Sequence, residues 1–272
     1  MVSETVAQRV SADPQDIERA TLAAVSPDAQ TELDGWLLGF DVGTIARAKS
    51  AAPLHHPAPD AVMDAKQSAQ CIQAIEHQYR LRSLGAGAGA SADSQAMFRL
   101  PDLPCFDLFR LQLARRGYTA IQPTWVQVAT VQSLLDLTPA PAAEVDAVPD
   151  SAWRQLFLGE GFDPVDGASR IRNLTRSSAN VYASLRENSQ TWAGGAASFS
   201  HGWASVHGMR THARYRGQGL AGRVLKALAQ VAQQRGQGQV FLQVEANNPA
   251  AQALYRRAGF STAWTYHYWC KT

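Results

Sequence analysis

Cysteine is scarce in this chain. Cys71, Cys105 and Cys270 are the three present, odd in number and far apart. They make neither a disulfide framework nor a zinc-ligand set, which points to a reducing compartment. Charge of one sign is also not in excess: 25 Lys and Arg against 23 Asp and Glu leave a formal net charge of +2. That bias is too small to argue for nucleic acid or an anionic membrane as a partner. No run of eighteen apolar residues occurs, and no basic segment followed by an apolar one opens the chain. Neither a membrane span nor a secretory leader is therefore expected, and the reading is cytoplasmic. What is left is an ordinary globular composition, 46% hydrophobic and 18% charged, over 272 residues. That length is long for one domain and comfortable for two.

The most informative stretch runs from Arg214 to Val231. A basic turn leads without a break into an amphipathic helix, with Leu220, Val224, Leu225, Leu228 and Val231 at helical spacing. Gly217 and Gly219 lack a Cβ, so a ligand can approach the main chain closely. The first amides of a helix have no intrahelical partner and sit at the positive end of its dipole. Arg216, Gly217, Gln218, Gly219, Leu220 and Ala221 thus form a candidate pyrophosphate cradle. An ordinary strand-to-helix turn would read the same way. Gly217, Gly219 and Gly222 also match the dinucleotide pattern G-x-G-x-x-G formally. No acidic residue is read as closing a strand about twenty residues on, which argues against that fold. A Walker motif is excluded, because no Gly-Lys-Ser/Thr follows.

After the helix, Val240 to Val244 reads as a short strand, followed by Asn248-Pro249-Ala250-Ala251, Ala253-Leu254-Tyr255 and Gly259-Phe260. The joint pattern Arg-x-x-Gly-x-Ala, helix, strand, Asn-x-x-Ala-x-x-x-Tyr-x-x-x-Gly-Phe resembles the GCN5-related N-acetyltransferase (GNAT) superfamily over about Trp203 to Thr272. The resemblance implies a mixed, mainly antiparallel α/β sheet flanked by helices, with acetyl-CoA or another acyl-CoA as co-substrate. It puts the pyrophosphate on residues 216–221 and the pantetheine arm on the main chain of Met209, Arg210 and Thr211. It also implies an oxyanion donor near Met209, a cofactor contact from Asn248, and Tyr255 beside the thioester sulfur.

Acyl transfer to an amine requires few groups. A base is useful because an alkylamine is mostly protonated at pH 7, a donor should face the oxyanion, and an acid helps the thiolate depart. No metal is required. Tyr255 is the candidate acid, with the alternative that it simply anchors the last helix. His207 is one candidate base; strand alternation puts it on the face of Ser205 and Met209. Glu245 is the rival, and a water relay to either would also serve. The acceptor is a primary amine, on a small molecule or a peptide. Glu160, Asp163 and Asp166 could attract a cationic amine, and Tyr266, Tyr268 and Trp269 could wall its pocket. Two other functions stay open: an acyl-CoA-binding regulator without turnover, and a protein-modifying enzyme whose N-terminal half docks the substrate. A homodimer is also compatible with the sequence.

The expected organisation is a tandem. Residues 1–137 form a degenerate acetyltransferase-like domain, 138–150 a Pro/Ala-rich linker, and 151–272 the catalytic domain. The tandem reading rests on Arg115-Arg116-Gly117-Tyr118, which mirrors Arg257-Ala258-Gly259-Phe260 and sets Leu113 opposite Tyr255. The turn at residues 53–60 lacks the cradle motif, so a copy there has lost it. In the first half, helices are expected from Pro14 to about Val25, over 60–82 and over 105–116. Strands are expected at 35–40, 45–53, 96–100 and 124–131. In the second half, 151–158 reads as a helix, 159–167 as an acidic loop, and 178–186, 193–199 and 203–211 as strands. The Gly85–Gly89 run reads as a flexible connection.

Overall fold

A computed structural model describes residues 11–58, 63–85, 95–159, 161–187 and 190–271. The expectations for residues 1–10, 59–60, 86–89, Glu160 and the 188–189 turn lie outside the described residues. The first half begins with α1 (Pro14–Ala24), started by Asp13, whose carboxylate accepts from the Gln15 amide at 3.0 Å. Strands β1 (Ala29–Leu33) and β2 (Trp36–Phe40) follow, then a 3₁₀ turn at Ala46–Lys49 and β3 (Ala51–Pro53). Helix α2 (Ala65–Gly85), β4 (Phe98–Pro101), α3 (Asp107–Arg115) and β5 (Thr119–Thr130) complete it.

Past α4 (Val131–Leu135) a similar sequence of elements recurs, with β6 and one more helix at its start. It comprises β6 (Glu144–Asp146), α5 (Ser151–Leu158), α6 (Pro164–Arg176), β7 (Val181–Glu187), β8 (Gln190–Ser200) and β9 (Trp203–Thr211). Helix α7 (Leu220–Gln234), β10 (Gln239–Glu245), α8 (Pro249–Arg257) and β11 (Ser261–Cys270) follow. All the strands join one sheet in the order β1-β2-β3-β4-β11-β5-β10-β9-β8-β7-β6. Pairing is antiparallel except at β3–β4 and β9–β10. The order is symmetric about the β11–β5 pair, with β4, β3, β2, β1 on one side answering β10, β9, β8, β7 on the other.

The mirrored signal in the sequence has a structural counterpart. Helices α3 and α8 are each 9 residues long and end at glycines of matching conformation, Gly117 at φ +81 and Gly259 at φ +85. Tyr118 and Phe260 are buried next to them, and Leu113 takes the place of Tyr255. The two halves also exchange their final strands. β5 of the first half pairs with β10 as well as β11, and β11 of the second half pairs with β4 as well as β5.

Several local expectations are corrected. Residues 45–53 are not one strand, because Ala46–Lys49 winds into the 3₁₀ turn before β3. The acidic loop at 159–167 contains the start of α6: Asp163 accepts from the Val165 amide at 2.8 Å and Pro164 takes the first helical position. Within 138–150, residues 144–146 form β6 and pair with β7. An acidic residue does close the strand after α7, namely Glu245 of β10. The dinucleotide fold is excluded instead by the mainly antiparallel sheet.

Candidate functional site

The site opens where two neighbouring strands part. β9 and β10 pair in parallel only from Ala204 to Val206 against Val240 to Leu242. Beyond that, β10 stays with β5 through Glu245 and β9 stays with β8 through Thr211. The split leaves a cleft of about 650 Å³ that reaches both faces of the sheet. On one face lie Val206, Leu242 and Val244, beside the α7 cluster that includes Tyr255. On the other lie His207, Gln243, Tyr266 and Tyr268, near the cluster of Trp203, Phe241 and α1.

Of the site residues read from sequence, Tyr255, His207, Glu245, Met209, Arg210, Thr211, Arg216 and Asn248 all line this cleft. Gly217, Gln218, Gly219, Leu220 and Ala221 are not on its wall; they continue from Arg216 at its edge. Gly219 is the N-cap of α7 at φ +74 with no side-chain cap, and Gly217 has φ +78. A Cβ at either glycine would meet nothing within 4 Å. The main-chain amides of 217–221 donate to no described residue. By contrast, α5, α6 and α8 are capped by Asp150, Asp163 and Asn248. An uncapped, open helix start fits an anionic ligand.

Asn248 uses its side-chain oxygen within the protein, accepting from the Ala251 amide at 3.1 Å. Tyr255 is 7% exposed, and its hydroxyl makes no hydrogen bond to a described residue. Burial pushes this phenol up to about 12, with Arg47 acting in the opposite sense. The phenol is therefore fully protonated across the neutral range.

Met209 does not share a face with His207. Gly208 has φ +60, and the β8–β9 register slips at this point, so two consecutive residues face the same way. Met209 consequently packs toward α7; its sulfur lies 2.5 Å from where a Cβ on Gly195 would be, next to Val224. A Cβ on Gly208 would meet Leu174 at 2.9 Å, on the opposite face. His207 is 4% exposed, and neither ring nitrogen has a partner among the described residues. Burial, and then the charge of Arg47, lowers the imidazole to about 3. It is neutral at pH 7 and a weak proton acceptor.

Arg47 was not anticipated from sequence. It stands on the 46–49 turn, in a segment read as a strand, and brings a cation from the first half into the cleft. Its Nη1 donates to Gln243 Oε1 at 3.3 Å, which also accepts from the Tyr266 hydroxyl at 3.0 Å. Gln243 Nε2 donates to Thr21 Oγ1 at 2.9 Å, fixing the amide. Gln122 and Thr124 of β5 line the cleft too, and Gln122 Nε2 donates to Glu245 Oε1 at 2.7 Å.

The two described acidic residues expected to draw in an amine are otherwise engaged. Asp163 caps α6, and Asp166 accepts from Arg170 Nε at 2.6 Å and lies 3.7 Å from Arg210. Burial alone would raise the Asp166 carboxyl, but the hydrogen bond and charge of Arg170, with Thr44 and Arg210, together outweigh it and the group sits below the usual range. Arg210 lies over the Phe162 ring at 3.9 Å, and burial lowers it to about 10. Tyr266 and Tyr268 wall the cleft as expected, with hydroxyls 3.2 Å apart, whereas Trp269 packs against the first-half core. Among the described residues, no cluster of three or more His, Cys, Asp or Glu is placed to hold a metal, and no helix is long and apolar enough to cross a membrane.

Comparison with known proteins finds similarity in sequence and in fold. The acetyltransferase (GNAT) family model matches residues 150–260. An uncharacterized N-acetyltransferase, YobR of Bacillus subtilis, is 24% identical over 261 residues, spanning 94% of this chain and 98% of its own. Among solved structures, a GCN5-related N-acetyltransferase from Kribbella flavida superposes with TM-score 0.64 at 17% identity, covering 96% of each chain. A tandem GNAT protein from the clavulanic acid biosynthesis pathway gives TM-score 0.56 at 13% identity, over 93% of this chain and 86% of its own. Residues 150–260 thus match the acetyltransferase (GNAT) family, and the chain as a whole is similar in fold to proteins of that superfamily.

Proposed function

We propose that this protein is an acyl-CoA-dependent N-acetyltransferase, moving an acetyl group from acetyl-CoA to a primary amine by direct attack in a ternary complex. The observation that carries the reading is the cleft through the sheet. It starts beside an uncapped helix N-terminus on one face and ends among polar groups of both halves on the other. Acetyl-CoA supplies an activated acyl carbon. The amides of 217–221 bind its pyrophosphate, Arg216 adds charge there, and the main chain of Met209, Arg210 and Thr211 aligns the arm along the free edge of β9.

As the N–C bond forms and the C–S bond breaks, the amine must lose a proton and the sulfur must gain one. Tyr255 donates to the sulfur, its hydroxyl being protonated and without a hydrogen-bond partner among the described residues. Glu245 receives the amine proton, directly or through water. His207 is less suited, since burial and then the charge of Arg47 oppose its protonation, and Arg47 also opposes the approach of an ammonium. The first half is then a wall of the site, through Arg47, Gln122 and Thr124. Thiol release from acetyl-CoA, assayed with an amine panel and a peptide panel, tests the reading. Tight acetyl-CoA binding without turnover on either panel would favour a regulatory role and sink it.

A further inference from the structure

We infer that the acceptor is an amine that also bears a carboxylate, of amino-acid type, and that Arg47 holds this carboxylate on the α1 face of the cleft. The inference rests on the acetyltransferase reading and adds the substrate class to it. Four arginines line the cleft: Arg47, Arg170, Arg210 and Arg216. Arg170 and Arg210 share Asp166, and Arg216 belongs to the cradle turn. Arg47 has no carboxylate partner among the described residues; its one hydrogen bond goes to the neutral amide oxygen of Gln243. A half-buried guanidinium facing a cleft with its remaining donors open suits a carboxylate, which can take two of them at once.

A second observation points to a ligand at the same place. His207 lines this wall, is 4% exposed, and has both ring nitrogens without partners among the described residues. A buried imidazole without hydrogen bonds is costly unless something binds there, and its N–H can donate to a carboxylate oxygen. The charge pattern then sets the orientation. Glu245 is two residues from Gln243 on the same face of β10, about 7 Å along the strand. A cation at one end of the wall and a carboxylate at the other complement an acceptor carrying both charges. A simple alkylammonium would leave the open donors of Arg47 without a carboxylate and be repelled by its charge.

The test uses the full chain with acetyl-CoA, assaying thiol release with the proteinogenic L-amino acids, the matching carboxamides, and lysine-containing peptides. Wild type should favour the acid of a matched pair by about 10- to 100-fold in kcat/KM, mainly through KM, as a charge-assisted hydrogen bond implies. Arg47→Gln should erase that preference and Arg47→Lys restore part of it, with acetyl-CoA affinity by calorimetry unchanged in both. Equal use of acids and amides, turnover of peptides alone, or a preference that survives Arg47→Gln would overturn the inference. Loss of acetyl-CoA affinity in Arg47→Gln would do the same, by assigning Arg47 to the cofactor. If no amine is acetylated although acetyl-CoA binds, the acetyltransferase reading fails on its own. Calorimetry of the same acids and amides against the acetyl-CoA-bound protein then decides Arg47: acid-selective binding supports the inference, and equal or absent binding refutes it.

Discussion

Helices α2 and α7 occupy matching places in the two halves, each linking a strand to the next one parallel to it. Their first turns are built in opposite ways. At α2, Asp64 accepts from the Gln67 amide at 2.7 Å while Gln67 Oε1 accepts from the Asp64 amide at 3.0 Å. This reciprocal box uses the helix start internally and places a carboxylate where a phosphate would sit. At α7, Gly219 stands at the cap and offers its amides outward. The next helices differ in the same direction: α8 carries Tyr255 where α3 carries the fully buried Leu113. One scaffold thus serves twice, once as the proposed ligand site and once as packing. The difference lies in a few side chains, not in the topology.

The largest expected effect is at Tyr255. Tyr255→Phe makes its position more like Leu113 while keeping the ring, so kcat in thiol release should fall about 10²-fold with acetyl-CoA KM little changed. Because the phenol is raised to about 12, no loss of activity between pH 8 and 10 should trace to its ionisation. A wild-type rate in Tyr255→Phe with the true acceptor would refute the acid assignment. Next comes Gly219→Asp, which gives α7 a carboxylate cap resembling that of α2. Aspartate tolerates the left-handed conformation, so the fold should survive and acetyl-CoA affinity drop about tenfold or more, roughly 1.4 kcal/mol. Unchanged affinity in the folded variant would remove the cradle from the site.

The reverse change, Asp64→Ala, should cost about 1 kcal/mol of stability in denaturant titration. Calorimetry should still find one acetyl-CoA per chain, and a second bound mole would mean that the cap alone hides a site in the first half. The smallest effect is expected at His207. An imidazole lowered to about 3 is neutral down to acidic pH, so His207→Gln should leave the acidic limb of the pH–rate profile in place. Disappearance of a limb near pH 6.5 in that variant would make His207 the base after all, whereas its loss in Glu245→Gln supports the carboxylate.

Much of the scaffold was legible because its signals are local. Asp13-Pro14 starts α1, the spacing from Leu220 to Val231 marks α7, and the paired Gly-aromatic steps betray the repeat. The same kind of start signal, Asp163-Pro164, begins α6, but the glycines of 159–167 on either side of it read as a loop. Gly208 inside β9 marks a bulge, and simple two-residue alternation across it assigns Met209 to the wrong face. Arg47 was out of reach for another reason. Its role depends on contact with Gln243, nearly two hundred residues away, and no spacing in the sequence encodes that. The strand exchange is equally non-local.

That exchange has a consequence for how the chain is made. β5 ends at Thr130, but its neighbours β10 and β11 begin at Gln239 and Ser261. At ordinary synthesis rates, roughly ten seconds separate the emergence of β5 from that of either partner. Throughout that interval the apolar strand around Trp125, Val126 and Val128 has two open edges, and β4 waits for the same last segment. Exposed edges of this kind invite association between nascent chains. The first half therefore cannot finish its own sheet until β11, made after all of its other strands, joins β4 to β5.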